Sequence, residues 1–420
     1  MAAVSTLVVT AACEPPPASS LPDRERASVT PNTTVATPTR TTIAPPITQS
    51  VGRPRLETGA GWLYLAWTER GLGAEGDALF VSARSQEDGR WRDLTTLSQN
   101  VAATLPLRVV SAPPRAVAVT WSGPIGGGQI RPWMATSDDG ARRFSAPQTF
   151  EIPAGALAPL SVLVAPPSRL NGPWTAATPL PSPSREPSPP HVPSVSSPSP
   201  YTWATFRAPS SSTGAARLET LRTCGGGGAL GLWCAADRRA SLGTRAATHP
   251  LDEDSRCVSG QRSLACHGNH IGVATRSARS GKTWLSTGRT PSTLHRMARL
   301  PGVVERMVLV DWVDDAHLLA VWVDEFRVLH AMTVEVSDGR TRSLVLAAEV
   351  LEATAVLDDD RSRTYVAWTT APATNAWQRD ADADGNDGRG VLQIQSVALP
   401  AGMLSADAPV LRLDPGDSTR

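Results

Sequence analysis

A short β-rich phrase built around tryptophan recurs along this chain. It reads Leu63-Tyr64-Leu65-Ala66-Trp67, Val117-Ala118-Val119-Thr120-Trp121, Tyr201-Thr202-Trp203-Ala204, Leu319-Ala320-Val321-Trp322 and Tyr365-Val366-Ala367-Trp368. Leu230-Gly231-Leu232-Trp233 is a weaker copy. Each phrase is bounded by Gly, Asp or Ser and reads as a strand. The phrases are almost continuously apolar, as expected of strands covered on both faces. A unit of this kind cannot bury its own surface alone, so copies must stack on one another. Trp67 to Trp121 and Trp322 to Trp368 are each separated by roughly the 40–50 residues of one propeller repeat. The wider gaps between Trp121 and Trp322 hold insertions.

A second repeat follows some of these strands. Ser85-Gln86-Glu87-Asp88-Gly89-Arg90-Trp91, Ser137-Asp138-Asp139-Gly140-Ala141-Arg142-Arg143-Phe144 and Ser277-Ala278-Arg279-Ser280-Gly281-Lys282-Thr283-Trp284 are turn clusters closed by an aromatic ring. Ser and Asp side chains bond their own turn backbone, and Gly supplies the left-handed conformation such turns need. No helical heptad or long amphipathic run stands out, so little helix is expected. A hydrophobic fraction of 41% is enough for a core, and a net charge of +1 gives no bulk attraction to nucleic acid. Lys282 is the lone lysine, so arginine supplies nearly all the positive charge.

The ends and insertions read differently. Ala2 to Ala12 is small and apolar and runs into Thr10-Ala11-Ala12-Cys13-Glu14. This resembles the lipobox of bacterial lipoproteins, in which Cys13 would be lipidated and become the mature N-terminus. Residues 1–13 are therefore expected to be an export signal, and the Pro/Ser/Thr-rich residues 14–50 a disordered tether from a membrane. The folded head is expected over 51–413, with a tail at 414–420. Pro166 to Pro200, rich in Pro and Ser, is expected to be a disordered excursion between repeats. Pro409 to Leu413 reads as a last strand. That strand, or the one near Arg55, could close a ring by pairing the first repeat with the last.

Cys224, Cys234, Cys257 and Cys266 are an even set clustered in one region of an exported chain, which reads as two disulfides. The local pairing is Cys224–Cys234 with Cys257–Cys266, and three connectivities are open. A metal site on Cys266, His267 and His270 is the competing reading. Asp380, Asp382, Asp384 and Asn386 alternate as the first ligands of a calcium loop do, since a hard cation takes several oxygens from one tight turn. Val391 stands where such a loop would place its last carboxylate. A weak Ca²⁺ site and a solvated acidic loop both fit.

The turn phrases resemble the Asp-box of the sialidase superfamily, whose pattern is Ser-x-Asp-x-Gly-x-Thr-Trp. Ser277 to Trp284 keeps the Ser, Gly, Thr and Trp and has Arg279 in place of Asp; Ser137 to Phe144 keeps Ser, Asp139 and the aromatic and has Ala141 in place of Gly. The resemblance implies an all-β, six-bladed β-propeller, with these turns between the third and fourth strands of a blade. Active members of that family hold a carboxylate with three arginines and use a Tyr nucleophile with a Glu partner and an Asp acid/base. Arg53, followed by Glu69 and Arg70, is similar in layout to the family's first arginine and the strand after it. Tyr64 and Tyr365 stand three residues before the repeated Trp, at equivalent strand positions, and Tyr201 stands two before Trp203; none has an evident Glu partner. The expectation is an exported, lipid-anchored propeller that binds or scaffolds a glycan or an envelope or extracellular protein. It would sit on the outer or cytoplasmic membrane surface, or be secreted, and act without catalysis or nucleic-acid binding. The alternative is an exo-sialidase-type glycoside hydrolase.

Overall fold

The computed structural model describes residues 51–413, apart from 71–76, 93, 102–106, 113–114, 126–128, 150–161, 166–173, 177–201, 207–216, 224–228, 244–247, 261, 371–390 and 400–404. The signal, the tether, Cys13, Tyr201, Cys224, the tail and all four residues of the acidic loop lie outside the described residues. Within them the protein is all-β, with 28 strands and a single three-residue 3-10 turn at Pro291–Thr293.

The strands form seven antiparallel sheets among the described residues. The first is β1 (Val51–Gly59), β2 (Trp62–Arg70), β3 (Asp77–Ser85) and β4 (Thr95–Val101), and the second is β5 (Arg108–Ala112), β6 (Ala116–Pro124), β7 (Ile130–Ser137) and β8 (Gln148–Thr149). The third has β11 (Thr202–Phe206) between β10 (Trp174–Ala176) and β9 (Val162–Ala165). The fourth is β12 (Arg217–Thr223), β13 (Ala229–Cys234), β14 (Ala240–Gly243) and β15 (Thr248–Pro250). In the fifth, β16 (Ser255–Cys257) and β17 (Leu264–His267) both pair with β18 (His270–Ser277), followed by β19 (Thr283–Gly288) and β20 (His295–Arg299). The sixth is β21 (Val304–Trp312), β22 (His317–Asp324), β23 (Leu329–Glu335) and β24 (Thr341–Ala347). The seventh is β25 (Val350–Leu357), β26 (Arg363–Thr370), β27 (Val391–Ala398) and β28 (Ser405–Leu413).

Every recurrent tryptophan phrase falls on a strand with a neighbour on each side: β2, β6, β11, β13, β22 and β26. The period of two then divides each strand between two cores. On β22, Leu318, Ala320 and Trp322 face a cluster shared with the fifth sheet, while Leu319, Val321 and Val323 face one shared with the seventh. On β2, Leu63, Leu65 and Trp67 pack with Tyr365, Ala367 and Ile394 of the seventh sheet, and Tyr64 and Ala66 pack with Val117 and Trp121 of the second. This is why these phrases are almost continuously apolar: on β2 and β22 neither face meets water. Trp67, Trp121, Trp322 and Trp368 each sit in the core between their own sheet and the one before it, with the seventh sheet standing before the first.

Several expectations change. Seven sheets occur among the described residues, where six blades were expected. The additional one is organised on β18, whose small Gly272 and Ala274 stand where other sheets carry tryptophan phrases; Leu318 and Trp312 crowd against Gly272 from the next sheet. The stretch 166–200 contains β10, because Trp174-Thr175-Ala176 carries no proline and can donate to the ladder of β11. Neither terminal strand is shared between sheets: β1 pairs β2, and β28 pairs β27. First and last sheets meet instead through side chains, and through Thr58 Oγ1 donating to Leu357 O (2.6 Å) and Gly61 N–H donating to Asp359 Oδ2 (2.8 Å).

The turn phrases also divide. Ser85–Trp91 and Ser137–Phe144 follow the third strands of their sheets, as expected, but Ser277–Trp284 joins β18 to β19, the second and third across the fifth sheet. In the Ser137 turn, Asp139 Oδ1 accepts the hydroxyl of Ser137 (2.8 Å) and the amides of Arg142 (2.9 Å) and Arg143 (3.0 Å). In the Ser277 turn the missing aspartate is replaced in space: Asp254, from the turn before β16, accepts the amide of Arg279 at 2.8 Å.

Candidate functional site

The first strands of neighbouring sheets lie side by side: β1 packs on β5 and β25, β17 on β12 and β21, and β21 on β25. Charged groups interrupt these otherwise apolar strands. On β1, Arg55 and Glu57 share one face by the period of two, with Leu56 turned into the core behind them. Arg108 opens β5, Arg222 lies near the end of β12, Arg262 precedes β17, and Asp311 stands inside β21 between buried Val310 and Trp312.

These groups converge. Arg262 Nη2 donates to Glu57 Oε2 (2.8 Å) and to Leu56 O (3.3 Å), while its Nη1 donates to Ala355 O (3.0 Å). One guanidinium thus holds β1 and β25 together, as a planar fork with several donors can. Arg222 Nε donates to Leu264 O (3.1 Å), and its Nη2 lies 3.9 Å from Asp311 Oδ2. Arg361, in the turn before β26, donates to Trp312 O and approaches the other oxygen of Asp311 at 3.9 Å. Arg55 Nε donates to Leu107 O (3.0 Å), which places it beside Arg108.

Charge is not balanced here. Among the described residues, Arg55, Arg108, Arg222, Arg262 and Arg361 face Glu57 and Asp311, and Arg108 Nε and Arg222 Nη2 are enclosed with no hydrogen-bond acceptor. Enclosure, with Arg55 and Arg262 nearby, pushes Arg108 down to about 9. Desolvation also lowers Arg222, against the opposing pull of Asp311. Glu57 is raised by burial, and the Arg262 charge offsets only part of that. Yet the side chains of Glu57, Arg222, Arg262 and Asp311 keep 19–27% of their area exposed. An enclosed cluster of donors with excess positive charge can receive an anion, since guanidiniums pair strongly with carboxylate and phosphate oxygens.

The residues singled out from sequence lie elsewhere. Glu69 is opposite Val51, six residues along β1 from Glu57, or roughly 20 Å at strand rise. Its Oε1 accepts the indole N–H of Trp67 at 2.6 Å, and burial raises its pKa. Arg53 falls in an irregularity of β1 between Gly52 and Arg55, and Arg70 ends β2 opposite Asp77. The structure therefore does not bring Glu69 to the cluster. Tyr64 is fully buried, its pKa pushed up to about 12 by desolvation, and Tyr365 is buried with its pKa raised. Both pack in cores between sheets.

The local cysteine pairing is replaced by Cys234–Cys257, which ties β13 to β16 across the fourth and fifth sheets. Cys266 is disulfide-bonded as well, to a partner outside the described residues, so it cannot be a thiolate ligand with His267 and His270. No cluster of three metal-ligating side chains occurs among the described residues.

The arginine cluster went unseen in the sequence because its members come from six sheets. The one local signal was a charge inside an apolar strand, as at Asp311, since a buried charge needs a reason where a buried leucine does not.

No family model matches the chain, and no curated protein matches it. Among solved structures, it is similar to a protein of unknown function from Dyadobacter fermentans DSM 18053, with 11% identity over 78% of this chain and 92% of that one, at a TM-score of 0.38. It is also similar to a structure from a structural and mechanistic study of two prolyl endopeptidases, with 12% identity over 86% of this chain, at a TM-score of 0.44. The match spans half the length of that second chain. Likeness this remote carries no activity over to the present protein.

Proposed function

We propose that this chain is an exported, lipid-anchored β-propeller that binds an anionic group where the first strands of its sheets meet, without catalysing a reaction. The first sheet shares cores with the second and the seventh, and the fourth to seventh share cores in turn, which supports a closed ring. The observation that carries the binding reading is the pair of enclosed donors, Arg108 Nε and Arg222 Nη2, with no acceptor. A buried donor left unmade is costly, and an incoming carboxylate relieves it. The natural ligand is then an acidic glycan or an acidic segment of an envelope or extracellular protein, and anchoring through Cys13 keeps the head at the membrane surface.

Titration of the purified head with glucuronic acid and with N-acetylneuraminic acid tests this. Binding is expected for the wild type and should weaken about tenfold or more in Arg108→Met, which removes one charge-assisted contact. Affinity unchanged by that substitution would defeat the reading.

The sialidase-type hydrolase is the second reading. It is favoured by one observation: Glu57, a carboxyl whose pKa burial raises, stands in a cluster with a second carboxylate, Asp311. Against it, Tyr64 and Tyr365 are committed to cores. Turnover of a fluorogenic sialoside that disappears in Glu57→Gln would establish catalysis.

A further inference from the structure

A second positive site lies between two of the turn phrases. The Ser85–Trp91 turn of the first sheet and the Ser137–Phe144 turn of the second flank a pocket of about 320 Å³. Arg92 forms its floor: its guanidinium lies 3.6 Å from the Trp62 ring centroid, and its Nη1 donates to Asp139 O (3.0 Å) and Gly140 O (2.5 Å). Stacked on one side and bonded on the other, Arg92 is fixed in place. Arg90, Arg115 and Arg142 line the same pocket from three separate turns and are exposed to solvent.

The carboxylates present do not neutralise them. Glu87 and Asp88 also line the pocket, and Asp88 Oδ1 accepts the amide of Arg90 at 2.9 Å, which ties it to its own turn. Asp139 Oδ1 is taken up by its own turn, while its charge still acts on Arg92. Four guanidiniums therefore stand against two lining carboxylates and the Asp139 charge. Trp91 also lines the pocket and is 9% exposed. Structural ion pairing alone would call for matched charges.

We propose that this pocket binds a divalent tetrahedral oxyanion, a phosphate or sulfate group, with Arg115 and Arg142 closing over it and Arg92 beneath. Guanidiniums arriving from three turns suit a tetrahedral anion, which takes donors from several directions, better than a planar one. This site is independent of the cluster around Arg108.

Isothermal titration of the full folded chain with inorganic phosphate, sulfate and acetate, at constant ionic strength so that screening is equal, tests the assignment. Phosphate and sulfate should bind the wild type and acetate should be at least about tenfold weaker. Arg115→Ser/Arg142→Ser, at two exposed positions, should weaken phosphate and sulfate about tenfold with an unchanged melting temperature, while Arg108→Met should leave them unaffected. The proposal is overturned if the double variant binds as the wild type does, if neither tetrahedral anion binds, if acetate binds equally well, or if Arg108→Met alone removes the binding.

Discussion

Asp358 follows β25, with Oδ1 accepting the amide of Arg363 (3.0 Å) and Oδ2 accepting the hydroxyl of Ser362 (3.3 Å). Burial, with Asp360 alongside, pushes its carboxyl up from 3.8 to about 6. A raised pKa means the folded state holds this proton more tightly than the unfolded chain does. The stabilisation it contributes is complete below pH about 3.8 and is lost as pH rises through about 6. Asparagine keeps an acceptor for the Arg363 amide and removes the charge. Asp358→Asn should therefore be more stable than the wild type at pH 7.5, by about 1–3 kcal/mol, and indistinguishable from it near pH 3.5. Urea unfolding of both proteins at the two pH values checks this. The Asp358–Asp360 triplet was readable as a hairpin turn, but the raised carboxyl was not, because its cause is burial by distant chain.

The turn phrases show how an element survives the loss of its defining residue. Arg279 occupies the aspartate position of the Ser277 turn, and Asp254 takes over the bond to its amide. Asp254 is held at about 2, first by Ser277 and then by that amide and Arg296. Being lowered, it supports the turn above its ordinary pKa of 3.8 and stops doing so as pH falls through about 2. In Asp254→Ala the amide of Arg279 should exchange with solvent faster at pH 7, while the amide of Arg142, bonded by Asp139 in the Ser137 turn, should keep its wild-type rate. Equal protection of Arg279 in both proteins would show that the substitute aspartate contributes nothing. The strands were more legible than the turns. Alternation on β22 and β2 needs only local pattern, whereas Asp254 lies 25 residues before Arg279.

Arginine also acts at the level of the assembled sheets. Arg262 joins the fifth sheet to carbonyls of the first and seventh and pairs with Glu57. Arg306 bonds Glu352 Oε2 and Leu351 O, both at 2.8 Å, from the sixth sheet to the seventh. Arg262→Met leaves Glu57 enclosed without its partner, and that should cost about 2–3 kcal/mol, below the range for a fully buried pair because both groups keep some solvent contact. Arg262→Met/Glu57→Gln should recover most of the loss, since no unpaired charge remains. Guanidinium unfolding of the two variants and the wild type measures both effects, and a double variant no more stable than the single would assign the cost to the lost carbonyl bonds.

The tryptophan phrases and their spacing were enough to specify strands, all-β character and repeated sheets, because strand pattern is set by neighbours two positions apart and by turns a few residues long. The fifth sheet carries no tryptophan phrase because β18 does with Gly272 and Ala274 what other strands do with an indole. The Cys234–Cys257 bridge and the meeting of Arg108, Arg222, Arg262, Glu57 and Asp311 were out of reach for a different reason. Each depends on which sheet edge stands next to which, and that adjacency exists only once the chain has packed.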